Sequence, residues 1–277
     1  MGQTPLPRLF KAVASGNDFL LADARGMPGS WDAGEDGARR LCDRREGVGA
    51  DGLVVLGPSR EATASFMLRN CDGSPAAFSG NGARCAALLL GRLGAGAEVT
   101  LATPAGVRRC RLVGKDRVEI SLGAPRDVRP EVELPDGSPR PVALHADVGV
   151  PYLALRMESG QALRALDVER VAPPLRRWSA LPSGANVAFW CARDDGSLDL
   201  RTFERGVEAE TRSSGTGCAA VALAHALALP ARAPELRVTL NPPSGEPLVV
   251  TVAGAPEVQD LRLLGGARLV AEIAPAP

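Results

Sequence analysis

The chain has 277 residues, of which 45% are hydrophobic, and its 32 basic residues balance its 32 acidic ones. This length fits one large or two medium-sized domains with a full core, and the zero net charge argues against a nucleic-acid partner. No apolar run approaches the roughly 18 residues of a membrane span. The N-terminus also lacks the basic-then-apolar pattern of a signal peptide. We therefore expect a cytoplasmic protein with no membrane partner.

Residues that could hold a metal or a nucleotide are sparse. The six cysteines form no CxxC pair, and the only histidines are His145 and His225. Such spacing does not build a zinc site, so we expect no metal and free thiols in a reducing compartment. Gly80-Asn81-Gly82 lacks the third glycine of a dinucleotide fingerprint, and no P-loop is present.

The first half of the chain is predicted to be mostly strands. A hairpin is expected over residues 8–23, with its turn at Ser15-Gly16-Asn17-Asp18. Helices are predicted at residues 36–44 and from Gly82 to about Gly91. Further strands are predicted at 53–56, 64–69, 97–103, 107–113 and 117–122.

The second half begins near residue 125 and repeats this mixture. A helix is predicted from about 217 to 228, ended by Pro230, and the Pro-rich stretches 172–174 and 242–243 are predicted as surface loops. Strands are predicted at 142–148, 152–157, 185–191, 198–203, 236–241, 247–253 and 260–272. Many strands with one central helix per half indicate an α+β protein of two similar lobes.

Two short segments, 135 residues apart, are near copies of each other. Ser79-Gly80-Asn81-Gly82 and Ser214-Gly215-Thr216-Gly217 each open an Ala/Leu-rich helix. Such a turn directs backbone N–H groups and the positive helix end at an anion. Two of them suggest a pseudo-twofold site that holds one carboxylate, with the preceding serines flanking the bound molecule.

The same offset relates other parts of the chain. Gly49-Ala50-Asp51 falls on Gly184-Ala185-Asn186, Arg69-Asn70 on Glu204-Arg205, and Asn17 on Tyr152. Because these islands keep both their order and their spacing, they predict an internal duplication and hence two domains.

Motifs along nearly the whole chain resemble the diaminopimelate epimerase family in order and spacing. They are Lys11 with Ser15-Gly16-Asn17-Asp18-Phe19, Leu41–Arg45 with Gly47–Gly52, Arg69-Asn70 with Asp72-Gly73-Ser74, Ser79–Gly82 with Arg84-Cys85, Asn186-Val187, Glu204–Val207 and Gly215-Thr216-Gly217. The resemblance implies two pseudo-symmetric lobes, each a mixed curved sheet around a central helix, with the site in the cleft between them. The N-terminal lobe would be residues 1–124, completed by 262–277, and the C-terminal lobe 125–261.

The resemblance also implies an activity. Family members form homodimers and, without a cofactor, convert LL- to meso-diaminopimelate in lysine biosynthesis: one cysteine thiolate removes the α-proton and an opposite thiol delivers another. Those two catalytic positions are Ser79 and Ser214 here. The implied binding residues for the amino-acid substrate are Asn17, Asn70, Gly80, Asn81, Asn186, Glu204, Arg205, Gly215 and Thr216.

The serines change the chemistry of the site. A thiol has a pKa of about 8.5 and an alcohol one nearer 15.7, a gap of roughly 7 units or about 10 kcal/mol. A helix dipole contributes only about 0.3–2 kcal/mol, so a serine needs a neighbouring base. The family histidine after Gly-x-Pro is Tyr152, and Val150 and Pro75 also depart from the family pattern. Tyr152 and Glu204 are the candidate supporting residues.

Three functions follow from these residues. The first is an epimerase of diaminopimelate type that is weak or depends on an unseen base. The second is a silent relative that binds amino acids without turnover. The third is an isomerase in which Glu204 or Tyr152 handles the protons. Deliberate replacement of both cysteines would also explain the serines, but the departures at Pro75, Val150 and Tyr152 argue against it.

Overall fold

The computed structural model describes residues 7–27, 31–76, 78–134, 142–181, 183–230, 233–254 and 257–274. The chain divides into two compact units. The first unit is Met1–Ile120 with Gly265–Pro277, and the second is Ser121–Leu264. The two boundaries fall inside strands, one near the middle of the chain and one near its end.

Among its described residues, the first half of the chain holds eight strands and two helices. The strands are β1 (Arg8–Ala14), β2 (Asn17–Asp23), β3 (Gly52–Gly57), β4 (Ala64–Asn70), β5 (Pro75–Ala76), β6 (Glu98–Thr103), β7 (Gly106–Leu112) and β8 (Arg117–Gly123). The helices are α1 (Gly34–Cys42) and α2 (Gly80–Leu90), and α2 runs into an irregular turn at Gly91–Ala95.

In the described part of the second half there are ten strands and three helices. The strands are β9 (Arg126–Arg129), β10 (Ala143–Asp147), β11 (Pro151–Arg156), β12 (Asn186–Ala192), β13 (Leu198–Glu204), β14 (Ala209–Thr211), β15 (Glu235–Asn241), β16 (Leu248–Ala253), β17 (Asp260–Gly266) and β18 (Arg268–Ile273). The helices are α3 (Gly160–Ala165), α4 (Val168–Arg176) and α5 (Gly215–Ala228).

The two units repeat one order of paired strands. In the first unit the order is β18-β1-β2-β3-β4-β6-β7-β8, and only β2–β3 and β4–β6 are parallel. In the second it is β9-β10-β11-β12-β13-β15-β16-β17, with β11–β12 and β13–β15 parallel. Mixed sheets with few helices confirm the α+β prediction.

Each sheet curves around one buried helix. Residues Asn81–Leu90 of α2 are all buried, and α2 contacts strands from β18 through β3 to β7. In the second unit, α5 contacts strands from β10 to β16 in the same way. A helix that is apolar all round must be covered on every side, which explains why both helix sequences are so rich in Ala and Leu.

A second layer covers the outer side of each sheet. Leu20, Ala22, Leu53 and Val55 pack with Ala38 of α1. In the second unit, α3 and α4 cover Leu153, Leu155, Val187 and Phe189 in the same manner. The strands β2, β3, β11 and β12 are therefore buried on both faces, as their continuous apolar runs indicate.

Two sequence predictions are wrong. Residues 172–174, predicted as a surface loop, lie inside α4. Asp167 caps this helix through the Arg170 N–H, and Val168, Ala172 and Leu175 line its buried face. Packing of that face outweighs the low helix propensity of the two prolines.

The second wrong prediction is the single strand over 260–272. It is interrupted at Ala267, whose N–H donates to the carbonyl oxygen of Asp116 at 2.9 Å. β17 on one side of this residue pairs with β16, and β18 on the other side pairs with β1.

Candidate functional site

The two repeated turns start their helices with the same geometry. Ser79, at φ −139° and ψ 121°, precedes α2, and Ser214, at φ −131° and ψ 116°, precedes α5. Each Oγ accepts a hydrogen bond of 3.1 Å from the backbone N–H three residues on, at Gly82 and Gly217. Serine is favoured at this position because its oxygen satisfies a donor that has no partner within the helix.

The preceding N–H groups of each helix lack partners within the helix as well. In α2 they belong to Gly80 and Asn81, and in α5 to Gly215 and Thr216. Free N–H groups at the positive end of a helix bind carboxylate or phosphate oxygens. Each unit thus has one helix start whose first N–H groups have no partner within the helix, with a serine hydroxyl beside it.

In the first unit a chain of amides leads to α2. Asp51 Oδ2 accepts from Asn17 Nδ2 at 2.9 Å, and Asn17 Oδ1 accepts from Asn81 Nδ2 at 2.7 Å. Asn81 Oδ1 in turn accepts from the fully buried Arg84 at 2.8 Å. Arg84 also donates to Ser15 Oγ at 2.8 Å. These contacts fix the orientation of both amides.

Local backbone geometry places Asn17 at this point. Ser15 (φ 48°) and Gly16 (φ 87°) form the two-residue turn between β1 and β2, and Ala14 pairs with Asn17 across it. Positive φ at both central residues is the requirement of the favoured tight hairpin turn. Asn17 therefore begins β2 at a defined register.

Ion pairs surround Asp51, the residue at which this series of amide hydrogen bonds begins. Asp18 forms ion pairs of 2.7 Å with both Lys11 and Arg44, and Arg44 reaches Asp51 at 2.7 Å. Burial by itself would raise the pKa of Asp18, but hydrogen bonds from Arg44 and Lys11 and their charges outweigh it and lower that pKa. Asp18 is thus a carboxylate throughout the physiological range.

In the second unit the equivalent position is the centre of a hydroxyl cluster. Tyr152 is fully buried, and its Oη lies 2.7 Å from Ser214 Oγ. It donates to Glu204 Oε1 at 3.3 Å and accepts from Thr216 Oγ1 at 3.3 Å. The structure thus brings three of the predicted site residues, Ser214, Glu204 and Thr216, around the phenol group of Tyr152.

Burial governs the acidity of this cluster. Burial, and then the nearby charge of Glu204, raise the pKa of Tyr152 well above 10, while hydrogen bonds with Ser214 and Thr216 lower it in part. Burial also raises the pKa of Glu204, and the neighbouring hydroxyl groups of Ser214 and Tyr152 oppose that rise. Tyr152 is therefore a neutral hydroxyl, and Glu204 is a stronger base than an exposed glutamate.

Two further predicted residues of this unit interact with backbone groups. Asn186, which is buried, accepts from the Arg205 N–H at 2.6 Å and donates to the Pro151 carbonyl at 3.3 Å. The exposed Arg205 donates from its guanidinium to the Ser183 carbonyl at 2.6 Å. Asn186 thereby fixes the backbone beside Glu204. Both its amide nitrogen and its amide oxygen are hydrogen-bonded to backbone groups of this chain.

Asn70 lies apart from the amide chain. It is exposed at the end of β4, where its Nδ2 donates to Ser74 Oγ at 3.0 Å and its N–H to the Ser74 carbonyl at 2.8 Å. The structure thus joins Asn17 and Asn81 to each other and Asn70 to a turn. The binding and catalytic roles of all these residues stay predictions.

Two residues of the first-unit chain were missed as site residues. Asp51 lies on Asn186 in the internal repeat, and that correspondence was a usable signal. Arg84 belongs to the motif Ser79–Gly82 with Arg84-Cys85, but the sequence does not indicate that an arginine in an apolar helix is buried.

Three buried thiols do not replace the two serines as bases. Burial raises the pKa of Cys42 to about 11 and those of Cys85 and Cys110 to about 12, so these thiols stay protonated. Within the described ranges, no group of three or more His, Cys, Asp or Glu side chains could hold a metal ion. No described helix is long and apolar enough to cross a membrane.

Comparisons with known proteins agree on one family. The family model described as diaminopimelate epimerase matches residues 9–128. A protein of that name from Thermobifida fusca is 37% identical, with 96% of each chain covered. Another from Methanothrix thermoacetophila is 37% identical, with 88% of each covered.

Solved structures show the same fold at low sequence identity. A phenazine biosynthesis protein of the PhzF family from Bacillus anthracis has a TM-score of 0.68 at 16% identity, with 97% of this chain and 98% of that chain covered. A hydroxyproline epimerase from Agrobacterium vitis has a TM-score of 0.65 at 18% identity, with 99% and 93% covered. Related architectures thus carry more than one chemistry.

Proposed function

Because this chain belongs to the diaminopimelate epimerase family, we propose that it is a cofactor-independent isomerase that interconverts LL- and meso-diaminopimelate. One serine would remove the α-proton and the other would return one. The observation that carries this proposal is the matched pair of capping serines, Ser79 and Ser214, at the positions that the family gives to its catalytic cysteines.

The helix starts supply the electrostatic part of the reaction. Removal of an α-proton moves negative charge onto the neighbouring carboxylate, so fixed donors that face those oxygens lower the barrier. The N–H groups of Gly80, Asn81, Gly215 and Thr216 would fill this role. Asn17 and Asn81 would bind polar groups of the substrate with amides already held in place.

Exchange of the α-proton tests this proposal directly. The protein is incubated in D2O with LL- or meso-diaminopimelate, and NMR follows both the α-hydrogen signal and the appearance of the other isomer. We expect signal loss at a rate proportional to enzyme concentration, and its abolition in the Ser79→Ala/Ser214→Ala double variant. Ser159→Ala is the matched control because it removes only the exposed cap of α3.

The other outcomes discriminate between functions. A rise in melting temperature with ligand but without exchange or inversion would contradict the proposed reaction and indicate a binding protein. Neither a shift nor exchange would contradict diaminopimelate as the ligand.

The resemblance also supports proposals about the state of the protein. We propose a cytoplasmic homodimer that needs no cofactor for proton transfer. Light scattering after size exclusion should give twice the chain mass of 28.8 kDa. The exchange rate should be unchanged after dialysis against a chelator.

A further inference from the structure

The hydrogen-bond capacity of Tyr152 determines the direction of each bond in the second-unit cluster. A phenol has one O–H to donate and two lone pairs to accept with. Its proton points to Glu204, at 3.3 Å, and Thr216 donates to it. The remaining 2.7 Å contact therefore has Ser214 as the donor and Tyr152 as the acceptor.

The same accounting leaves one position open on Ser214. Its O–H points to Tyr152, and one lone pair accepts the Gly217 N–H. Thr216 Oγ1 lies 3.5 Å from Ser214 Oγ, but its proton is donated to Tyr152, so the second lone pair of Ser214 is available to an incoming proton. The order Ser214, Tyr152, Glu204 is thus a continuous path from an open oxygen lone pair to a carboxylate, and all of it lies in the second unit.

Ser79 has no comparable path. Within the part of the chain that the structure describes, its Oγ has one hydrogen bond, from the Gly82 N–H. The residue that matches Tyr152 in the repeat is Asn17, an amide that does not exchange protons with a base at neutral pH. The residue that matches Glu204 is Arg69, which pairs with Asp32 at 2.6 Å.

From this contrast we infer that the two serines share proton transfer unequally: Ser214 exchanges the substrate α-proton through Tyr152 and Glu204, and Ser79 returns protons slowly. The inference rests on the proposed function. Tyr152 and Glu204 act through Ser214, so they are positioning residues for its proton. The consequence is hydrogen exchange with retention of configuration, faster than inversion.

The proton step balances within the cluster. The α C–H bond breaks, its proton bonds to Ser214 Oγ, and its electron pair stays on the substrate. The Ser214 proton moves to Tyr152, and the Tyr152 proton moves to Glu204, which becomes a neutral carboxylic acid. No alkoxide persists, so the unfavourable ionisation of a serine alcohol is avoided. Solvent then exchanges the Glu204 proton, and reversal delivers deuterium to the same face.

The test compares exchange and inversion for each stereoisomer in D2O. For the isomer whose α-hydrogen meets Ser214, we expect exchange to exceed inversion by about 10²-fold. Tyr152→Phe and Glu204→Gln should each lower that exchange by about 10²-fold and bring the ratio towards one. Glu235→Gln, at an exposed ion pair in the same unit, is the control for the amide substitution.

A second measurement does not depend on turnover. Tyr152 is the only tyrosine of the chain, so tyrosinate absorbance during alkaline titration reports this residue alone. Removing the Glu204 charge should shift the onset to lower pH in Glu204→Gln. Removing the Ser214 hydroxyl should shift it to higher pH in Ser214→Ala. Onsets that match the unmodified protein, while the circular dichroism stays native, would overturn the coupled path.

The outcomes separate the two proposals. Equal rates of exchange and inversion for both isomers would overturn the unequal sharing and leave the proposed function intact. Absence of both exchange and inversion would overturn the proposed function and the inference together. Fast exchange that survives in Tyr152→Phe and Glu204→Gln would overturn the inference alone.

Discussion

The starts of α2 and α5 share a backbone and differ in what surrounds it. Both capping serines adopt nearly the same φ and ψ, and both accept a 3.1 Å bond from a glycine N–H. The first start adjoins a chain of amides that ends at a buried arginine. The second adjoins a phenol, a hydroxyl and a carboxylate.

The same contact is made twice with different chemistry. Asn17 meets Asn81 at 2.7 Å, and their counterparts in the repeat, Tyr152 and Thr216, meet at 3.3 Å. Because the fold requires only that this contact be polar and satisfied, each copy could change its residues independently. The two copies thus share the geometry of the helix start and differ in the acid–base groups around it.

Replacing the two capping serines by cysteine should have the largest effect, which is on the rate of inversion. The pKa of a thiol is roughly 7 units lower than that of an alcohol. Part of this difference should lower the barrier to proton transfer. We expect Ser79→Cys/Ser214→Cys to raise inversion by about 10³-fold. Ser79→Cys alone should raise it more than Ser214→Cys alone, because only Ser214 already has a base behind it.

Inversion rates of the three cysteine variants, measured by NMR with each isomer, check this prediction. Ser159→Cys, at the cap of α3, controls for the introduction of a thiol at a helix start. A larger gain from Ser214→Cys alone would reverse the assigned order of the two serines.

Alanine at Gly82 and at Gly217, the glycines whose N–H groups bond to the capping serines, should have smaller effects, and these should change stability in opposite directions. A Cβ at Gly217 would lie 3.0 Å from Thr202 Oγ1 and 3.1 Å from Ser214 Cβ, whereas one at Gly82 would meet its nearest neighbour, Phe19, at 3.4 Å. Gly217→Ala should therefore lower the free energy of unfolding by about 1–2 kcal/mol through overpacking. Gly82→Ala should raise it by up to about 1 kcal/mol through helix propensity.

Urea unfolding followed by tryptophan fluorescence measures both values. Equal losses in the two variants would show that the second helix start is no tighter than the first.

The fold was largely predictable because its signals are local. Alternation and apolar runs gave most strands, and the Gly-rich turns gave α2 and α5 to within two residues of their starts. The helix α4 was missed because two prolines oppose it and only packing of its buried face stabilises it. That packing depends on residues far away in the sequence.

The sequence named most residues of the candidate site, but it did not show which of them form hydrogen bonds with each other. The repeat placed Tyr152 opposite Asn17 and Glu204 opposite Arg69, but residue types alone did not show that Tyr152 reaches Ser214 and Glu204 together. Nor did they show that Asn186 bonds to backbone groups. Side-chain direction depends on the packing around each residue, which sequence spacing does not contain.

The smallest expected effect is the pH dependence that Glu204 confers on stability. Burial raises the pKa of Glu204 in the folded protein above its ordinary value of 4.5. Between those two values the folded state keeps a proton that the unfolded state has lost, so this stabilising contribution is full below the ordinary value and declines as pH rises. Relative to Glu204→Gln, the unmodified protein should lose stability from about pH 4 upwards, and its stability should level off once the folded carboxyl has ionised.

Urea unfolding of both proteins across this range gives the difference directly, with Glu235→Gln as the control for the substitution itself. A difference that grows in favour of the unmodified protein as pH rises would mean that the cluster stabilises the carboxylate, and that Glu204 is a weaker base than an exposed glutamate.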